Sequence, residues 1–250
     1  LALRDRLASH HGVDADRIVV GAGASELIHR IVSALPGTVL VRDPTFVEYR
    51  KSAAALDREI LRARDDREFL EALPSASVAF LCHPNNPDGR LHAREFLDEA
   101  AELAVSNGTE LVLDLAYAPM CDADVHIPPR ANQLWAPNKP MDCAGVRAGY
   151  LVASDARCAA QLAKLAPSWI LSAEGVELLS EFAHTDTRAW LDSSRPQVVG
   201  LRRKLSELLT DRNWEVREGQ ANFVVARPPP PNEVRIVCAS LRSRGIRVRD

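Results

Sequence analysis

Short apolar runs alternate along this chain with longer stretches in which apolar positions recur every three or four residues. The runs fall at 18–20 (Ile-Val-Val), 38–41 (Thr-Val-Leu-Val), 77–82 (Ser-Val-Ala-Phe-Leu-Cys), 110–113 (Glu-Leu-Val-Leu) and 150–153 (Tyr-Leu-Val-Ala). They are continuously apolar rather than alternating, which suits central strands of a sheet covered on both faces. Between them, 24–35 gathers Leu27, Ile28, Ile31, Val32 and Leu35 on one helical face and stops at Pro36-Gly37, a helix-end signal. The stretch 91–106 does the same with Leu91, Phe96, Leu97, Ala100, Leu103 and Ala104, leaving charged residues on the opposite face. Strand–helix–strand alternation through about residue 150 predicts an α/β domain with a mostly parallel, mixed sheet sandwiched by helices.

The pattern then changes. From 154 to about 212 the periodicity is helical, with breaks expected at Pro167 and Pro196 and an apolar stripe of Leu201, Leu205, Leu208 and Leu209. Strand-like runs follow at 214–217 and 222–226. Four prolines, 228–231, read as a stiff loop, and a helix is expected near 232–244 with Val234, Val237, Cys238 and Leu241. This reads as the start of a small α+β domain. The expected division is a large domain over 12–190, the small domain from 191 to 250 joined by a long helix, and a remnant of an N-terminal segment over 1–11. No internal repeat is present.

Composition narrows the function classes. The 250 residues are 46% hydrophobic, and 31 Lys+Arg against 34 Asp+Glu give a net charge of −3. That balance argues against nucleic acid or a membrane surface as the main partner. The apolar runs are too short to span a bilayer. Residues 1–10 mix charges into an amphipathic pattern, unlike a secretory signal. Five scattered cysteines without a C-x-x-C pair suit reduced thiols in a cytoplasm and suggest no metal site. The chain lacks an initiator Met and stops just after the strand-like 246–249, so both ends read as cut.

Four constellations carry candidate chemistry. Gly21-Ala-Gly-Ala-Ser-Glu26 follows a strand and opens a helix; small residues and free helix-start amides suit an anion. Alone it fits an ordinary turn capped by Ser25 or Glu26 better. His83-Pro-Asn-Asn-Pro-Asp-Gly89 also follows a strand, where ligands sit in open α/β sheets. It serves equally as a polar turn, and Asn86-Pro87 is a candidate for a cis bond. Asp114, with Tyr117 three residues on, ends a strand behind apolar residues; a carboxylate there needs a cationic partner, either a protonated ring nitrogen or an Arg or Lys. Lys139 lies in Trp135-Ala-Pro-Asn-Lys-Pro140, ahead of Arg147 in Ala144-Gly-Val-Arg-Ala-Gly-Tyr150. A lysine held in a rigid loop can act as an amine nucleophile toward carbonyls, and Arg147 can clamp a phosphate. For a lone lysine, a solvated charge is the commoner explanation.

Taken in order, these elements suit a phosphorylated, aldehyde-bearing cofactor with a ring nitrogen. The chain resembles, over essentially its whole length, the fold-type I pyridoxal-phosphate-dependent aminotransferases of class I/II, and most of all the histidinol-phosphate aminotransferase and threonine-phosphate decarboxylase branch. The resemblance implies pyridoxal 5′-phosphate as cofactor and roles position by position. Gly23, Ala24 and Ser25 match the phosphate-binding turn. Phe46 matches the aromatic stacked on the cofactor ring, although by pattern alone it reads as core and Tyr49 as a helix-face residue. Asn86 matches the ligand of the phenolic oxygen and Tyr117 a second one. Asp114 matches the carboxylate at the ring nitrogen, Lys139 the lysine of the internal aldimine, and Arg147 the phosphate arginine. The catalytic set is then Lys139, Asp114 and Tyr117.

Three departures stand out. Leu115 replaces a frequent Glu, Ala136 stands where a phosphate-binding hydroxyl is expected, and Pro140-Met-Asp-Cys143 replaces a smaller link. The resemblance implies transamination of an amino acid or a phosphorylated amino compound in a homodimer, and the cysteine usage and absent targeting signals suit a cytoplasmic one. Its alternatives are decarboxylation of a phosphorylated amino acid, or a non-catalytic binding module. An unrelated nucleotide or S-adenosylmethionine domain would leave Lys139 and the Asn loop unexplained.

Overall fold

The computed structural model describes residues 2–249; Leu1 and Asp250, the outermost residues of the expected terminal segments, lie outside it. Helix α1 (Ala2–His11) leads into β1 (Ile18–Gly21), α2 (Ala24–Ala34), β2 (Val39–Arg42), α3 (Glu48–Ala55), β3 (Ile60–Ala63), α4 (Asp66–Ala72) and β4 (Val78–Cys82). Then come α5 (Arg94–Asn107), β5 (Glu110–Asp114), β6 (Asn132–Trp135), β7 (Gly149–Val152), α6 (Ala156–Ala163), α7 (Ala173–Phe182) and α8 (Thr185–Thr210). The chain continues through β8 (Glu215–Arg217), β9 (Val225–Arg227) and α9 (Val234–Ser243).

Seven strands form one sheet in the order β1-β7-β6-β5-β4-β2-β3. Every neighbouring pair from β6 to β3 is parallel, while β7 runs antiparallel to both β6 and β1. All strands but β7 therefore point one way, and β7 starts at the edge where the others end. The pleat sends alternate residues to opposite faces. Val39, Val41, Phe80, Cys82 and Val112 pack under α2, α3 and α6, together with Leu27, Ile31, Tyr49, Ala53 and Leu162. Leu40, Leu81, Leu111 and Leu113 pack on the opposite face against Phe69 of α4 and Phe96 and Leu97 of α5. Both faces are covered, as the continuous apolar runs predict.

Sequence and structure differ in instructive places. Strands β3 and β6 escape the apolar pattern. β3 is a partly exposed edge, and β6 carries Asn132 and Gln133. Asn132 is buried because its amide bridges neighbours: Nδ2 donates to the Leu111 carbonyl at 3.2 Å and Oδ1 accepts from the Ser154 amide at 2.9 Å. The break near Pro167 falls between α6 and α7, but α8 runs straight through Pro196. Proline removes one helical donor; the carbonyl it deprives belongs to exposed Asp192, where water can serve it. The run 222–226 yields a strand only from Val225 onward. Among the described residues no helix is long and apolar enough to cross a membrane.

Candidate active site

The expected site residues gather at the edge where β1, β4, β5 and β6 end and β7 begins. Asp114 closes β5 on the face of Val112, next to Cys82 of β4. It is 2% exposed. Its Oδ2 accepts from the Tyr49 hydroxyl at 2.7 Å and its Oδ1 from the Ala116 amide at 3.0 Å. Burial pushes this carboxyl above the usual carboxylate range, while those two bonds and the Lys139 charge act the other way. Tyr49 is fully buried, stacked on Phe80 with centroids 4.7 Å apart and planes 7° off parallel, and Phe46 meets it edge-on at 5.7 Å. Leu115, the next residue, turns into the opposite core at 0% exposure; a Glu there would need a partner that this core does not supply.

The turn after β1 is braced by Glu26 but not capped by Ser25 or Glu26 as expected. The Glu26 carboxylate accepts from the Ala22 amide at 3.0 Å and is held by the buried Arg30. Gly23 is the N-cap of α2 at φ 92°, with no side-chain cap. The amides of Gly23, Ala24 and Ser25 have no acceptor among the described residues. Arg147 closes over them: a Cβ on Gly23 would lie 2.9 Å from Arg147 Nη2. The opposing strand comes equally close, since a Cβ on Gly149 would lie 3.1 Å from Gly23 Cα. Three free amides and a guanidinium at a helix start make an anion cradle.

Lys139 lies in a chain of turns between β6 and β7, where its amide donates to the Ala136 carbonyl at 3.0 Å and the Cys143 amide to the Asn138 carbonyl at 3.0 Å. These turns form the Pro140–Cys143 link, with Asp142 at φ 50°. Lys139 stays open to solvent, with Nζ 6.0 Å from the centre of the Tyr117 ring. Desolvation holds its ammonium below the usual lysine range, helped by Arg249 and Arg147 and opposed by Asp114. Ala136 is 3% exposed and offers no hydroxyl.

The two asparagines divide their work. Asn85 is buried and fully used: Nδ2 donates to the Pro44 carbonyl at 2.9 Å and to Asp88 Oδ1 at 2.7 Å, and Oδ1 accepts from the Thr45 hydroxyl at 3.0 Å. Asn86 is half-buried, and its side-chain amide has no partner among the described residues. The cis bond in this loop precedes Pro84, not Pro87. Tyr117 packs edge-on against Phe223, with centroids 5.0 Å apart.

Three participants are absent from the expected set. Tyr49 and Phe223 are distant in sequence from the residues they serve. Arg249 acts electrostatically on both Lys139 and Tyr117; its only sequence signal is a basic residue in a terminal strand-like run. Among the described residues no group of three or more His, Cys, Asp or Glu is placed to hold a metal ion.

Known proteins resemble this chain in sequence and fold. Residues 1–250 match the family described as aminotransferase class I and II. A histidinol-phosphate aminotransferase of Gloeobacter violaceus is 31% identical over 270 residues, covering 100% of this chain and 73% of that protein. A threonine-phosphate decarboxylase of Salmonella typhimurium is 31% identical over 204 residues, covering 75% of this chain and 56% of that protein. The crystal structure of histidinol-phosphate aminotransferase from Sinorhizobium meliloti in complex with pyridoxal-5′-phosphate superposes with a TM-score of 0.88 at 22% identity, over 99% of this chain and 72% of that one.

Proposed function

The chain belongs to the class I and II aminotransferases, and from that membership we propose that it moves an amino group between an amino acid or phosphorylated amino compound and a keto acid. The cofactor is pyridoxal 5′-phosphate, and the residues present fit it. The cradle of Gly23, Ala24, Ser25 and Arg147 suits a phosphate, and the glycine contacts leave no room there for a side chain. Asp114 is a buried acid with no cationic partner within hydrogen-bond reach, so a ring N–H⁺ would relieve its desolvation. Phe46 is only partly buried, in the loop after β2, and is the aromatic proposed to stack on the ring; the side chains of Asn86 and Tyr117 have no hydrogen-bond partner among the described residues.

When bound, the cofactor supplies an electron sink for a substrate carbon that loses a proton. The chain's own residues do the rest. Asp114 holds a proton on the ring nitrogen. Arg147 and the three amides fix the phosphate. Lys139 Nζ is the attachment point and the base: its lowered proton affinity leaves more free amine near neutral pH, ready to take a proton and return it. Arg249 supplies positive charge beside Lys139 and Tyr117, where an anionic substrate group would sit.

The observation that carries this reading is the convergence on one sheet edge of the buried Asp114 at the end of β5, Lys139 in the turns after β6, and Arg147 just ahead of β7 and against Gly23. Decarboxylation of a phosphorylated amino acid is the second reading, supported by the 31% identity to a threonine-phosphate decarboxylase. A homodimer in the cytoplasm completes the proposal.

Purified protein mixed with pyridoxal 5′-phosphate should gain a visible absorbance that borohydride fixes onto Lys139. Lys139→Ala should retain no label. A colourless wild-type protein would overturn the reading. Assaying amino substrates one by one for keto acid or released carbon dioxide separates the two reactions.

A further inference from the structure

One ion pair outside the expected site ties three pieces of chain together around it. Arg202, on the second half of α8, is buried except for 10% of its side chain, and its Nη2 lies 2.7 Å from Asp122 Oδ2. Its Nη1 donates to two backbone carbonyls, Gly219 at 2.5 Å and Ala221 at 3.2 Å. Asp122 belongs to the segment that follows Tyr117, and its other oxygen, Oδ1, is buried with no partner. Gly219 and Ala221 belong to the turn between β8 and β9.

That turn sits directly on the Asn loop. The Gln220 amide donates to the Gly89 carbonyl at 2.6 Å. A Cβ on Gly219 would collide with the Asp88 carbonyl oxygen, and one on Gly89 would lie 3.1 Å from Gly219 Cα. Two residues beyond Ala221, Phe223 meets Tyr117 edge-on. The guanidinium thus joins the Tyr117 segment, the 219–221 turn and, through that turn, the loop that carries Asn86.

We propose that Arg202 is a positioning residue for the cofactor site: a clasp that draws the 219–223 turn onto the loops of Asn86 and Tyr117 and holds both side chains in place. The inference rests on the reading of that site given above. Arginine suits the role because its planar fork reaches one carboxylate and two carbonyls together. A lysine ammonium could keep the charge pairing but not all three bonds. Removing the fork would leave a buried carboxylate and two carbonyls short of donors, so the turn would lift rather than stay. Arg203 is the internal control. It reaches the same Asp122 oxygen at 3.3 Å, but its side chain is 68% exposed and it touches neither carbonyl.

The test compares wild type, Arg202→Gln, Arg202→Lys, Asp122→Asn and Arg203→Gln. Amide exchange of cofactor-free protein is followed at 84–91 and 218–224, and pyridoxal phosphate affinity by visible titration. Arg202→Gln and Asp122→Asn should speed exchange in both segments and weaken cofactor affinity about tenfold, a usual size for coupling between linked sites. Arg202→Lys should fall between these and wild type, and Arg203→Gln should match wild type. Faster exchange confined to 218–224, with unchanged affinity, would reduce the clasp to a local brace and overturn the proposal. So would equal effects of Arg203→Gln and Arg202→Gln. Should Arg202→Gln fail to fold, Asp122→Asn decides the matter in the same way. A wild-type protein that takes up no cofactor would sink the proposed function, and exchange at 84–91 would then decide the clasp.

Discussion

Replacing Tyr49 by Phe would remove one oxygen and expose how Asp114 is held. The phenol donates to a carboxylate that has no solvent to fall back on. Tyr49→Phe should therefore lower stability by about 1–3 kcal/mol, the usual cost of an orphaned buried polar group, read as a lower urea midpoint. Because that bond also holds the Asp114 proton affinity down, its loss should raise the Asp114 carboxyl further. At this scale the sequence was partly legible. A carboxylate behind Leu111-Val-Leu113 at a strand end announced its need for a partner. Its neutral donor could not be read, since Tyr49 lies 65 residues away and looks like any aromatic on a short helix. The paired asparagines were equally opaque. Only the loop's hydrogen bonds show that Asn85 is spent on Pro44, Thr45 and Asp88, while the Asn86 side chain keeps no partner among the described residues.

Elements were legible where their surroundings were uniform. Strands β2, β4 and β5 lie between two covered faces, so their central residues are apolar whichever way they point, and the apolar runs locate each strand to within a residue at either end. β3 and β6 lack that uniformity, one at an edge and the other carrying a satisfied buried amide. A proline stops a helix only where the freed carbonyl has no alternative, which is why Pro196 did not mark a boundary. The turn into α2 shows an element acting as a unit. Gly23→Ala would place a Cβ 2.9 Å from Arg147 Nη2 on a residue at φ 92°, a conformation that disfavours side chains. The expected outcome is pyridoxal phosphate affinity lower by tenfold or more, on the order of 1.4 kcal/mol, in visible titration, while far-ultraviolet circular dichroism stays at the wild-type level. Unchanged affinity would show that these amides hold no phosphate.

The molecule as a whole carries a dependence on pH that no motif announces. Burial holds the His83 ring at about 3, with the nearby His92 and His126 adding to the effect, and the His11 ring is also held at about 3, again mainly by burial. In the unfolded chain both would take a proton near 6.5. Below that pH the unfolded state binds protons that the folded state refuses, so stability falls as pH drops from 6.5 toward 3. Each such histidine contributes about 1.4 kcal/mol per pH unit. Thermal melts should show a steady loss of Tm between pH 6.5 and 4, made shallower by His83→Asn; a flat profile would contradict the neutral, buried rings.

The antiparallel course of β7 has one more consequence. Gly21 pairs with Gly149, and that rung brings Gly23 and Arg147 face to face at one sheet edge although they lie far apart in sequence. Adding or removing one residue within β1 or β7 would slide the pairing by about 3.3 Å and turn every side chain to the other face. Every cradle residue could be present and the cradle still be lost. In the inheritance of such a site, apolar exchanges at the other positions of these two strands are survivable, whereas a side chain at Gly21 or Gly149, or a change of length, is not.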